Sequence, residues 1–307
     1  MEHGAAAKTE DVLAAVHSYP GIARDLAIAR RAAPQAQLTR YLERIYLDLH
    51  RALFRRPRSD WKRELAGLFL LEAPAVAKSL RAQIVWIAVL FAAAAGAGAA
   101  LVSAYPELVG LVASEQMIEH VMHGELWTDG LLNVLPSSML SVQIFTNNIV
   151  VALFTLCLGV AYGLGTLYIV GMNGLMLGGV FAFTARYGLA GRLFEFVCAH
   201  GFVELSSICI AGAIGASLGE ALARPGRMSR RTAFQQATAR GIKLMLVLAV
   251  FLVGSGLLEG FVSPDPAYPW AAKLAIGLAY FALFLFVLSG AAGRRMLHTR
   301  RRARSMR

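Results

Sequence analysis

The sequence predicts an all-α, polytopic membrane protein with about six transmembrane helices, an amphipathic cytosolic N-terminal segment and an outer interfacial helix. Three observations carry this. Of 307 residues, 57% are hydrophobic and only 16% charged, with a mean hydropathy of +0.56, outside the range of soluble domains. No charged side chain interrupts residues 144 to 185, a run too long for one crossing, since a helix covers the hydrocarbon core with ~20 apolar residues. The net charge of +11 gathers before residue 80, around Arg224 to Lys243, and after Arg294, as positive-inside topology requires. That distribution argues for membrane lipid, and against nucleic acid, as the partner of the basic residues.

The elements follow in order. Residues 1–80 read as a basic cytosolic helical segment. Leu38, Leu42, Ile45, Leu49 and Leu53 recur at spacings of three and four, one apolar face of a helix, with Arg40, Arg44, Arg51, Arg55 and Arg56 on its other sides. A second helix is expected after Ser59 as N-cap, with Asp60 in its first turn and Leu65, Leu68 and Phe69 inward. This segment reads either as a module docking on anionic lipid or a partner, or as a solvated helical hairpin. The chain opens polar and has no strong apolar run before Ile84, so no signal peptide is expected.

Residues 81–307 read as the transmembrane domain. Span one runs from Ile84 to Val102, alanine-rich and suited to close packing. Arg81 before it and Glu107 after it place the amino terminus inside. The outer segment 105–142 carries Glu107, Glu115, Glu119, Glu125 and Asp129 but no lysine or arginine, and reads as an interfacial helix plus a re-entrant approach to span two. The central hairpin 144–187 is expected to turn at Gly171-Met172-Asn173-Gly174, with Gly178 packed nearby, because hydrocarbon leaves only helices for its two arms. Span four runs from Phe196 to Ala216 and span five from Leu244 to Phe261, joined by a basic cytosolic loop. A short outer turn, Ser263 to Trp270, leads to span six, Ala271 to Leu288, and the basic cytosolic tail 294–307. Arg186 and Arg192 depart from the charge rule, and pairing with Glu195 is their expected compensation.

Polar groups within the spans are the candidate site. Asn147 and Asn148 open span two, His200 and Glu204 occupy the first turns of span four, and Glu259 ends span five, all near the outer interface. An ionisable group at mid-membrane costs ~2.5–3.5 kcal/mol to insert, so such residues are functional candidates unless interhelical hydrogen bonds that fix the bundle explain them. The reading is one connected cluster of Asn148, His200, Glu204 and Glu259, with Asn173 carried to the inner end. His200 and Glu204, four apart, offer only two ligands and no HExxH motif is present, so no metal and no cofactor are expected. Cys157, Cys198 and Cys209 read as small core residues, and no catalytic triad, P-loop or dinucleotide fingerprint appears. Gly159 and Gly163, Gly174 and Gly178, and Gly215 and Gly219 form GxxxG pairs, serving either self-association or contact within the monomer.

Four motifs, Phe145-Thr-Asn147-Asn148-Ile149, Asn173-Gly174-Leu-Met-Leu-Gly178, His200-Gly201-Phe-Val-Glu204-Leu205 and Leu258-Glu259-Gly-Phe-Val-Ser-Pro264, occur in this order. Together they resemble the stage II sporulation protein M family over roughly Ala82 to Leu297. The resemblance implies an all-helical protein of the bacterial inner membrane. It also implies a non-enzymatic scaffold or partner subunit, since the namesake belongs to a membrane-anchored peptidoglycan-remodelling complex. The long basic N-terminal segment is similar to the longer, non-sporulation members. The implied partner is another membrane or envelope protein, or a second copy. The alternative function is a transporter or channel component using the intramembrane Asn, His and Glu residues.

Overall fold

A computed structural model describes residues 9–54, 61–129 and 137–294, which form helices and helical turns with no strand. The chain divides into two compact units, Met1–Glu64 and Leu65–Arg307.

In the first unit, α1 (Thr9–Ala32) and α2 (Gln37–Phe54) pack against each other. Tyr19, Ile22 and Leu26 of α1 turn inward at helical spacing and meet Leu42, Ile45, Tyr46 and Leu49 of α2. Tyr19 stacks on Tyr46 with ring centroids 5.3 Å apart, and its hydroxyl donates to that of Tyr46 at 2.8 Å. The short connection is closed by the buried Thr39, whose hydroxyl donates to the Ala33 carbonyl at 2.7 Å. With Thr39 turned inward, Leu38 is left 64% exposed and drops out of the predicted apolar face. Ser59 and Asp60, the expected cap and first turn, lie outside the described residues; α3 (Trp61–Gly67) follows them.

The boundary between units falls after Glu64, not at residue 80. A π-helical turn, Leu68–Glu72, leads into α4 (Ala73–Ser79) and α5 (Arg81–Ala104). Ala73, Val76, Ala77 and Leu80 are buried in one core with Leu244, Leu248 and Phe284, and Glu72 pairs with Lys243 at 2.8 Å. Apolar burial thus draws residues 65–79 into the membrane unit. Leu68 and Phe69 join that core as expected, whereas Leu65 is 46% exposed.

The unit continues through a 3₁₀ turn (Pro106–Leu111), α6 (Glu115–Met122), α7 (Ser137–Cys157), α8 (Leu164–Arg186) and α9 (Ala190–Val197). It ends with α10 (Gly201–Ala223), α11 (Arg230–Phe261) and α12 (Trp270–Ser289). Helices α5, α8, α10, α11 and α12 are each long and apolar enough to cross a membrane. Helix α7, expected as a sixth crossing, carries only a shorter apolar stretch, Thr146–Val160. Gly174 of α8 lies on Phe91 of α5 and Gly178 lies on Ala95, so these two helices run parallel, and α7 returns the chain between them. We call the end where α5 begins proximal and the end where it finishes distal. Helix α10 is the axis of the bundle: 67% of its most apolar window is buried, against 17% for α5 and for α12, and it touches α5, α7, α8, α11 and α12.

The central hairpin turns earlier than predicted. Asn173, Gly174 and Gly178 all lie inside α8, and the chain reverses at 158–163. Tyr162 (φ 53°) and Gly163 (φ 83°) both adopt the left-handed conformation there, which ends α7 and launches α8. The glycines at 174 and 178 serve packing: a Cβ on either would strike the α5 backbone. Gly159 likewise lies on Gly215, and Gly163 beside Gly219. All three GxxxG pairs are therefore used within the chain, as the short contacts of small residues allow.

At the distal end, Val109, Val121 and Leu126 of the outer segment bury against Phe183, Leu189 and Leu193. Ser114 caps the interfacial α6 by accepting the Met117 amide. The expected re-entrant stretch overlaps residues 130–136, which lie outside the described residues. Arg192 does not pair with Glu195 but reaches back to Asp129 at 2.8 Å, which explains how a cation sits in this turn.

Candidate functional site

Helices α10 and α11 are antiparallel: Gly241 of α11 meets Ile214 of α10, and Glu259 meets His200. The start of one therefore faces the end of the other at the distal end. Helix α7 runs parallel to α10, so Asn148 lies level with Glu204, eleven residues above the Gly159–Gly215 contact on both helices. At 1.5 Å per residue, equal spacing means equal depth.

The structure brings four of the candidate residues together. Asn148 Nδ2 donates to Glu204 Oε1 at 2.8 Å. His200 Nε2 lies 3.6 Å from Glu259 Oε2, and its Nδ1 lies 2.9 Å from Ser263 Oγ. One ligand atom each from His200, Glu204 and Glu259 lie within 4.8 Å of one another. His200 is 4% exposed and Ser263 2%, whereas Glu204, Glu259 and Asn148 are half-buried. Phe196 covers His200 edge-on, its ring centroid 5.7 Å away.

Asn147 is not part of this group. One residue from Asn148 is ~100° around a helix, and its side chain is exposed. Asn173 also stands apart, though for a different reason from the one its expected inner position supplies. It sits in the middle of α8, donates to the Ile169 carbonyl at 2.8 Å, and lines a cavity of about 230 Å³ with Leu111, Val112 and Met176.

Sequence reasoning passed over Ser263 and Lys273 as site residues, and the Glu195 it expected to pair with Arg186 and Arg192 pairs with Lys273 instead. Lys273, 5% exposed, donates to the Ser263 carbonyl at 2.8 Å and to Glu195 Oε1 at 3.3 Å. It thereby ties α12 to α9 and to the turn that holds His200. A lone cation in an otherwise uncharged apolar span was the available signal.

Residues 87–264 match the family model for stage II sporulation protein M. The chain belongs to that family. No curated protein and no solved structure matches the chain. The matched stretch of this stage II sporulation protein M family member holds Asn148, His200, Glu204, Glu259 and Ser263, and stops short of Lys273 and of the whole first unit.

Proposed function

We propose that this family member is a non-enzymatic integral membrane partner subunit of an envelope-associated complex, seating a transmembrane helix of another membrane protein against α5. The observation that carries this reading is an unfilled surface. An apolar groove of about 630 Å³ opens between α5 and α12, with Leu205 and Cys209 of α10 as its floor and Ala88, Phe91 and Phe284 on its walls. Beside it, Ala88, Ala92, Gly96 and Ala100 are all exposed, a row of small residues at four-residue spacing, and nothing stands in front of Gly96. In lipid such a row favours close helix approach, because packing and not hydrophobicity drives association there.

The polar cluster supports this reading over transport. One turn below it lie the buried Ser207 and Ser255; beyond them come apolar positions, including Ala211, Leu244 and Leu248, and the deeper Thr155 and Thr166 hydroxyls are committed to carbonyls at 2.7 Å. Among the described residues, no polar route continues through the proximal half.

Crosslinking tests the seat. Single cysteines at Ala92 and Gly96, in a background without Cys157, Cys198 and Cys209, are expected to give one discrete heteromeric adduct in native membranes. Gly96→Leu should abolish co-purification of the same partner. Monomer alone, an adduct of two copies of this chain, or equal adduct from the lipid-facing Leu283 would overturn the reading.

The same proposal places the protein in the bacterial inner membrane with both termini cytoplasmic. Arg224 and Arg227 between α10 and α11, with Arg230 and Arg231 in the first turn of α11, cluster at the proximal end, whereas the distal outer segment is acidic. A cysteine at position 125 should label from outside, and one at position 227 only after permeabilisation. The opposite pattern would invert the orientation.

A further inference from the structure

We propose that His200, Glu204 and Glu259 form a binding site for one divalent first-row metal ion. This goes beyond the partner reading and does not depend on it, since the groove beside α5 and this site involve different residues.

The argument begins with ligand number. The sequence offers two neighbouring ligands on one helix, too few for a metal; the antiparallel α11 brings a third, Glu259, to the same point. Metal–nitrogen and metal–oxygen bonds of ~2.0–2.2 Å hold tetrahedral ligand atoms about 3.4 Å apart. The three ligand atoms already lie within 4.8 Å of one another, so modest side-chain rotation closes the set.

The surroundings orient these ligands. Ser263 Oγ lies 2.9 Å from His200 Nδ1, which leaves Nε2 turned toward the carboxylates. The 3.6 Å from Nε2 to Glu259 is too long for a hydrogen bond, so that nitrogen's lone pair is not consumed there. Asn148 holds Glu204 through its Oε1. An imidazole anchored through its second nitrogen and a carboxylate anchored by an amide are what outer-shell support of a metal looks like.

Charge points the same way. Two carboxylates share an apolar bundle with one imidazole, while the buried Lys273 spends its charge on Glu195. A divalent cation neutralises the two carboxylates, and removing that repulsion offsets the cost of holding them out of water. One turn deeper on the same helices, Ser207 and Ser255 are fully buried with hydroxyls that lack a hydrogen-bond partner among the described residues. They leave unmet bonding capacity on the turns next to the carboxylates. The mixed imidazole and carboxylate set, with no thiolate in it, selects ions such as Zn²⁺ or Mn²⁺ over the all-oxygen preferences of Ca²⁺.

The test uses the full chain purified in detergent, stripped with chelator, supplied with Zn²⁺ or Mn²⁺ alone, dialysed, and measured by elemental analysis. The expected result is close to one ion per chain for at least one of the two metals. Asn148→Ala should weaken binding about 10–100-fold, as loss of an outer-shell partner does. The Glu204→Gln/Glu259→Gln double variant should bind none. Unmutated protein that retains neither metal, or a double variant that retains it fully, would overturn the proposal. The first of those outcomes needs no variant to fold, and neither bears on crosslinking at α5.

Discussion

Replacing Gly178 by valine is expected to abolish accumulation of the folded chain in membranes. A Cβ at Gly178 would fall on the carbonyl oxygen of Ala95, a backbone atom of α5 that cannot rotate away. Helix α5 would have to retreat, and the neighbouring contacts of Gly174 with Phe91 and of Gly98 with Leu175 would open with it. Overpacking commonly costs ~1–3 kcal/mol, and this case belongs above that range because backbone obstructs instead of a side chain. Size-exclusion chromatography of fluorescently tagged variants reads the outcome. Gly171→Ala on the same helix is the control, because nothing lies within 4 Å of its added carbon and it should behave as the parent. A monodisperse Gly178→Val protein would show that α5 and α8 do not pack as described.

The second large effect concerns Asn148. Changing it to leucine leaves a half-buried Glu204 carboxylate without its amide donor, at a cost of ~1–3 kcal/mol. Changing Glu204 to leucine as well removes the orphaned group, so the double variant should be less destabilised than the sum of the single changes. Thermal unfolding of metal-free protein in detergent closes this double-mutant cycle. Strict additivity would show that the two side chains do not share a bond.

The helical architecture was legible because apolar length and charge placement act at the scale of whole spans. Span one and span six appear within three residues of their expected limits, as α5 and α12, while span four appears as α10 shifted five residues later at its start and seven at its end. The hairpin turn was misread because glycine serves two purposes. At Gly171 to Gly174 it looked like a reversal, but in lipid a helix also uses glycine to approach another backbone, and Gly174 does that. The real reversal rests on Tyr162, a residue with no preference for its left-handed conformation. Helix α1 was not anticipated because Pro20 and Gly21 interrupt its pattern and only Tyr19, Ile22 and Leu26 mark an inward stripe. The polar cluster was readable by depth, since Asn148, His200, Glu204 and Glu259 each sit at a countable distance from a span end. Depth could not supply Ser263 or Lys273, whose roles depend on how a loop folds over the end of α10.

The parallel pairing of α5 with α8 also constrains how the protein is born. Gly98 and its contact region around Gly178 are eighty residues apart in the chain. At a synthesis rate of ~5–20 residues per second, roughly 4–16 s separate the appearance of the two surfaces. During that interval α5 enters the bilayer with its close-packing face against acyl chains and cannot simply pair with the next helix to emerge. The axis of the bundle, α10, arrives later still. Of the helices it touches, α5, α7 and α8 precede it in the chain and α11 and α12 follow, so the close-packing face of α5 must be tolerated in lipid before the bundle can close around its axis.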